Sequence, residues 1–257
     1  MGEIILNRLS ILLVSGVMIL AAAYVSGCLK SSEDDGNGKL LEKGNSWTYK
    51  VNDVNYGNGE VMVTVVTESK TFEGNEVIEV KIETSYDAFH DEDIGMHYDA
   101  WDGSGVSYFR KVDQETVYTE YEWEIKGRRD PADEWNTTRW EGETTYATTG
   151  TIPEILEAGT NYTLVETSDD HYKIFVDGSE RGDETSENTL TKTYTVLGEK
   201  EATVPAGTFT CWELRVEDDM DSLTMKYFCP ELNIDVKIVE YYDGEITSTY
   251  ELKSYST

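Results

Sequence analysis

The stretch Val117-Tyr118-Thr119-Glu120-Tyr121-Glu122-Trp123-Glu124-Ile125 decides the fold. Val117, Thr119, Tyr121, Trp123 and Ile125 share one face, and Tyr118, Glu120, Glu122 and Glu124 share the other. Side chains alternate across a strand, so this pattern places aromatic rings against a core and carboxylates in water. Trp47, Tyr49 and Val51 alternate in the same way with Thr48, Lys50 and Asn52. Ile78, Val80 and Ile82 alternate with Glu79, Lys81 and Glu83. Further strands are expected near 61–68, 106–112, 143–149, 160–166, 171–176, 189–197 and 201–204. Turn signals separate them: Gly57-Asn58-Gly59, Gly74-Asn75, Asp102-Gly103 and Asp177-Gly178. The one helical signal is Pro153 to Ala158, with Gly159 just past its end. The fold class is therefore mainly β, with at most one or two short helical turns beyond the N-terminal segment.

Two hairpins are specific enough to register. Strands 233–241 and 245–255 flank Tyr242-Asp243-Gly244. A two-residue loop would pair Val236 with Glu251, whereas a three-residue loop pairs Ile234 with Leu252 and Val236 with Tyr250. One residue of slip exchanges the two faces, so the three-residue loop is expected. Cys211 and Cys229 lie symmetrically about Met220 within an acidic turn. A hairpin centred there sets Trp212 across from Phe228 and the two cysteines opposite each other, which predicts a Cys211–Cys229 disulfide.

The 257-residue chain carries 51 acidic and 21 basic residues, a net charge of −30. Such a surface repels phosphate backbones and anionic headgroups, so no nucleic-acid partner and no charge-driven membrane attachment are expected. Attachment falls to the N-terminus. Leu9 to Gly27 is predominantly apolar, carries no charged residue, and as a helix would be roughly 28 Å long, close to a bilayer core. It ends in Val25-Ser26-Gly27-Cys28, which resembles the lipobox of prokaryotic lipoproteins, where the peptide is cut before a cysteine that then carries lipid. The segment also fits a retained membrane helix, or a signal cleaved to release the chain. All three readings place residues 29–257 outside the cytoplasm. The domain plan is a signal peptide or anchor over 1–27, the lipobox cysteine and a polar tether over 28–43, and a β domain over 44–257.

A wider resemblance rests on Gly44-Asn45-x-Trp47-x-Tyr49, Pro205-Ala206-Gly207-Thr208-Phe209-x-Cys211, Tyr227-x-Cys229-Pro230-Glu231 and Glu251-Leu252-x-x-Tyr255. The chain resembles a group of uncharacterised exported prokaryotic β proteins, many of them lipoproteins, with a PAGTF turn followed by a Y-S-P-E-x-G turn. It departs from them at Asn233, where the group has glycine; asparagine tolerates the same left-handed backbone. The resemblance implies a large curved antiparallel sheet or half-barrel and carries over no catalytic residue.

Chemistry-bearing motifs are sparse. No nucleophile elbow, zinc-protease helix motif or phosphate loop occurs, so an enzymatic role is not expected. Asp87, His90, Asp91, Asp93, His97 and Asp99 crowd one segment and are the candidate ligands for a divalent cation, although EF-hand spacing is absent. Trp135 and Trp140 flank a break in the alternation and are candidates for stacking on a ligand, against the alternative that both cap the sheet. Asn136 and Asn161 match the glycosylation acceptor pattern. The functional expectation is a membrane-anchored extracytoplasmic module that binds something or supports a surface structure. The alternatives are a carrier holding an apolar ligand in a sheet-lined cavity, and a glycoside hydrolase using two carboxylates.

Overall fold

The alternation at 117–125 becomes one wall strand of a closed barrel. The computed structural model describes residues 42–91, 95–110, 116–128, 134–153 and 156–256. The strands are β1 (Ser46–Asp53), β2 (Gly57–Phe72), β3 (Asn75–Tyr86), β4 (Phe89–Asp91), β5 (Met96–Tyr98), β6 (Trp101–Arg110) and β7 (Thr116–Arg128). They continue with β8 (Asn136–Gly150), β9 (Asn161–Val176), β10 (Ser179–Val204), β11 (Gly207–Asp218), β12 (Ser222–Cys229), β13 (Ile234–Tyr242) and β14 (Glu245–Ser256). Leaving out the short β4–β5 hairpin, each strand pairs antiparallel with the next, and β1 pairs with β14. The curved sheet thus closes on itself as an up-and-down barrel, which leaves no open edge along its circumference. The β4–β5 hairpin is inserted between β3 and β6 and pairs with the end of β7 through His97↔Arg128 and Tyr98↔Gly127. No helix occurs among the described residues; Glu154 and Ile155, within the expected helical turn, lie outside them.

Inward positions on β7 are Thr119, Tyr121, Trp123, Ile125 and Gly127, all buried, and the intervening glutamates are exposed. On β3, Lys81 is exposed and Glu83 partly so, while Val80 and Ile82 are buried. An apolar interior behind a charged wall reverses the polarity of membrane-spanning barrels, whose outward band is apolar.

A twelve-strand barrel is wider than aliphatic side chains fill easily. Aromatic rings laid across glycines solve this. Tyr86 stacks on Trp101 with ring centroids 4.6 Å apart, and Tyr56 packs edge-on to both. The space for Tyr86 exists because its neighbour in register is Gly59: a β-carbon there would lie 2.6 Å from the Ser85 carbonyl and 2.7 Å from the Tyr86 ring. Gly59→Ala is therefore expected to destabilise the barrel by about 1–3 kcal/mol through overpacking, read as a lower denaturation midpoint.

The core forms two apolar clusters. The larger runs from Trp47, Tyr49 and Val51 through Trp123, Trp140 and Ile174 to Ile238 and Leu252; the smaller gathers Tyr162, Leu164, Tyr194, Val196, Leu214, Val216 and Phe228. The tip of the β10–β11 hairpin bends toward β14, with Ala206 N donating to the Leu252 carbonyl at 3.0 Å. Asn233 adopts φ +57, the left-handed backbone that its turn requires.

The β11–β12 register matches expectation, with Trp212 opposite Phe228. The β13–β14 register does not. The loop is the two-residue Asp243-Gly244, both left-handed, with Tyr242 paired to Glu245. A bulge after Ile246 then shifts the ladder, so that Ile238 meets Tyr250 and Lys237 meets Glu251. Matching of apolar faces was the right constraint, but a bulge satisfies it within the strand and frees the loop to take the favoured hairpin geometry.

Candidate functional site

Between the two apolar clusters runs a buried polar seam. Ser107, Thr119, Thr144 and Asp170, all buried, are successive partners in register across β6 to β9, and the exposed Ser186 on β10 continues the row. Ser107 and Thr119 share a hydroxyl hydrogen bond of 2.9 Å. The Asp170 carboxylate, 5% exposed, accepts from Thr144 at 2.7 Å, Asn188 at 2.8 Å, and Ser168 and Ser186 at 3.3 Å. Four donors replace the water that the charge has lost, which makes its burial tolerable.

Across the interior, Lys226 lies in register between Leu214 of the smaller cluster and Ile238 of the larger. Its ammonium is 3.6 Å from Asp235, with side chains 5% and 0% exposed. Burial pulls the Lys226 pKa down, and the Asp235 charge opposes that shift. Lys192 and Glu166 form a second, half-buried pair at 2.9 Å.

A third group sits near the β1–β2 turn. Asp53 accepts from Asn55 N at 2.7 Å, Tyr56 N at 3.0 Å and Ser248 Oγ at 2.6 Å. Glu240 faces Ser248 in register. Burial, reinforced by the Asp53 charge, pushes the Glu240 carboxyl up to about 8. Burial also raises Asp53. These acids and lysines gave no sequence signal of their own: most occupy inward positions of alternating strands, Asp235 is brought inward beside a bulge at Val236, and all are disguised by the abundance of charge elsewhere.

The sequence-derived candidates fall at different places. His90 and His97 face each other across β4–β5, with rings stacked at 4.1 Å. Asp87 and Asp99 are exposed, Asp91 is half-buried, and Asp93 lies outside the described residues. Among the described residues no three His, Cys, Asp or Glu side chains converge on one point. The two tryptophans separate. Trp140 is in the larger core cluster, 6% exposed, so it offers no free face for a ligand; Trp135 is 37% exposed beneath the Arg128 guanidinium at 4.3 Å. Arg128 is also the register partner of His97. The β4–β5 hairpin and the β7–β8 connection therefore carry a run of planar groups: His90, His97, Arg128 and Trp135.

The structure does not show the expected disulfide. Cys211 and Cys229 are buried free thiols. The β11–β12 ladder ends at Trp212↔Phe228, one position short of them, and the chain turns at Cys229, whose carbonyl accepts from Asn233 N at 2.8 Å. The Cys211 thiol donates to the Phe209 carbonyl at 3.6 Å, and the two neighbouring thiols shift each other, Cys211 upward and Cys229 downward. Asn136 and Asn161 are both exposed at strand starts; Asn161 bonds Thr195 at 2.7 Å and the Gly159 carbonyl at 3.2 Å. Cys28 and Leu9 to Gly27 lie outside the described residues. On the outer wall, Glu60, Glu83, Asp102, Glu122 and Glu124 line an open groove of about 530 Å³. Lys253, Lys81 and Arg139 pair with Glu60, Glu83 and Glu122 there.

No protein-family model matches the sequence, and no curated protein matches it. Among solved structures the chain is similar to a candidate exported protein with a YmcC-like fold from Bacteroides fragilis, at TM-score 0.39 and 10% identity, over 84% of this chain and 97% of that one. It is also similar to a candidate lipoprotein from Parabacteroides distasonis, at TM-score 0.39 and 14% identity, over 84% and 96% of the respective chains.

Proposed function

We propose that the barrel is the displayed part of an exported lipoprotein, tethered through Cys28 and working through its outer surface as a binding or surface-structural module. The observation that carries this reading is the aromatic filling of the interior behind a charged wall. An apolar cargo would have to displace the Tyr56, Tyr86 and Trp101 rings, which pack on one another and on Gly59. The interior carboxylates Asp53 and Asp170 are each held by donors of the chain itself, and Tyr86 and Tyr250 lie near Glu240. That arrangement favours a structural role for these acids over attack on a glycosidic bond.

The tether is supported by the run Val25-Ser26-Gly27-Cys28 and by the polar segment that follows it. Intact mass measurement of the protein from its native membrane is expected to show a chain beginning at lipid-modified Cys28. Cys28→Ala is expected to abolish that modification. An unmodified chain beginning at Met1 would refute the tether. Saturable uptake of an apolar fluorescent probe, with quenching of the core tryptophans, would restore the carrier reading.

A further inference from the structure

We propose that His90 and His97 form a two-imidazole site for a first-row divalent cation, copper(II) or zinc(II), on the outer face of the β4–β5 hairpin. The hairpin is anchored from its other face. Phe89 and Tyr98 stack there at 4.6 Å, Tyr56 meets Phe89 edge-on, and Tyr98 lies over Gly127. Alternation then fixes His90 and His97 on the opposite face as direct cross-strand partners.

The His90 ring is oriented for ligation. His90 Nδ1 lies 3.0 Å from the Met96 carbonyl oxygen. A carbonyl only accepts, so Nδ1 carries the proton, and in the neutral ring Nε2 keeps its lone pair. An imidazole whose second nitrogen donates to a backbone carbonyl is the arrangement that orients histidine ligands and increases their basicity. The partner ring is nearly parallel, 19° between planes, with centroids 4.1 Å apart. Two nitrogens on one zinc stand roughly 3.3 Å apart, so a modest tilt of the rings brings both onto a shared ion, with water completing the shell.

Ligand softness decides the class of cation. Arg128, the register partner of His97, lays its guanidinium over the Trp135 ring at 4.3 Å. The net charge of −30 raises the local concentration of cations. Oxygen-rich acidic surfaces hold calcium or magnesium, whereas imidazole favours copper and zinc. The selection rests on the two rings alone.

The test titrates the untagged full chain, in detergent, with copper(II) chloride and separately with zinc chloride, in 150 mM-range salt and excess magnesium. One equivalent should bind, and electron paramagnetic resonance of the copper form should show two imidazole nitrogens. His90→Gln and His97→Gln should each weaken binding by at least about tenfold, the loss typical of even an outer-shell partner. Thermal unfolding should match the parent, since both rings lie outside the core. His171→Gln should bind normally, because His171 is engaged with Asp183 at 2.7 Å on another strand pair. The proposal fails if the double variant binds like the parent, if magnesium abolishes binding, or if no copper signal with imidazole nitrogen appears.

Discussion

Lys226→Met is expected to lower the stability of the barrel by about 3–5 kcal/mol, the cost of leaving one member of a buried ion pair without its counter-charge. The carboxylate left behind is Asp235, whose side chain is fully buried, while its backbone carbonyl accepts from Tyr49 Oη at 2.6 Å. Methionine resembles lysine in length and flexibility, so the loss reads charge rather than volume. The double variant Lys226→Met/Asp235→Asn should recover much of the loss, because it removes both charges and keeps the Tyr49 bond to the backbone. Chemical denaturation of the parent, both single variants and the double variant measures the coupling directly. A double variant as unstable as Lys226→Met alone would show that the pair does not act as a unit.

The wall of this barrel was legible in the sequence and much of its interior was not. Period-two runs identified strands because one face meets water: Tyr121, Trp123 and Ile125 went in, and the glutamates between them went out. The cysteine hairpin was registered correctly from its symmetry about Met220. The polar start of β10, Ser179 to Asn188, has no apolar alternation and reads as a loop, yet it is a strand because β9 supplies a backbone ladder from Val176 back to Ser168. Full closure depends on β1 meeting β14, a pairing between the two ends of the domain that no local pattern encodes. The candidate sites show the same limit. His90 and His97 were visible as a histidine-bearing segment, but their stacking depends on the register of a short hairpin. Lys226, Glu240 and Asp170 were invisible, since a charged residue inside an alternating strand normally faces water, and only closure of the barrel turned these positions inward.

The same buried charges set the response to pH. The native state holds a proton on Glu240 up to about pH 8, whereas an unfolded chain releases it near its ordinary value of about 4.3. Between those values the native state binds more protons than the unfolded state, so the Glu240 contribution to stability falls as pH rises through that window and levels off above it. Asp53, also raised by burial, acts in the same direction. Glu240→Gln should match the parent near pH 5, where the native glutamate is neutral, and exceed it by a few kcal/mol near pH 8. Thermal unfolding of the two proteins in steps from pH 5 to pH 8.5 measures the widening gap; parallel curves would remove Glu240 from the account. The Lys226 charge favours the ionised form of Glu240. Lys226→Met should therefore move the Glu240 transition upward in pH, and the shift should vanish when Gln stands at 240. One buried lysine thus links the two acids, compensating Asp235 outright and limiting how firmly Glu240 keeps its proton.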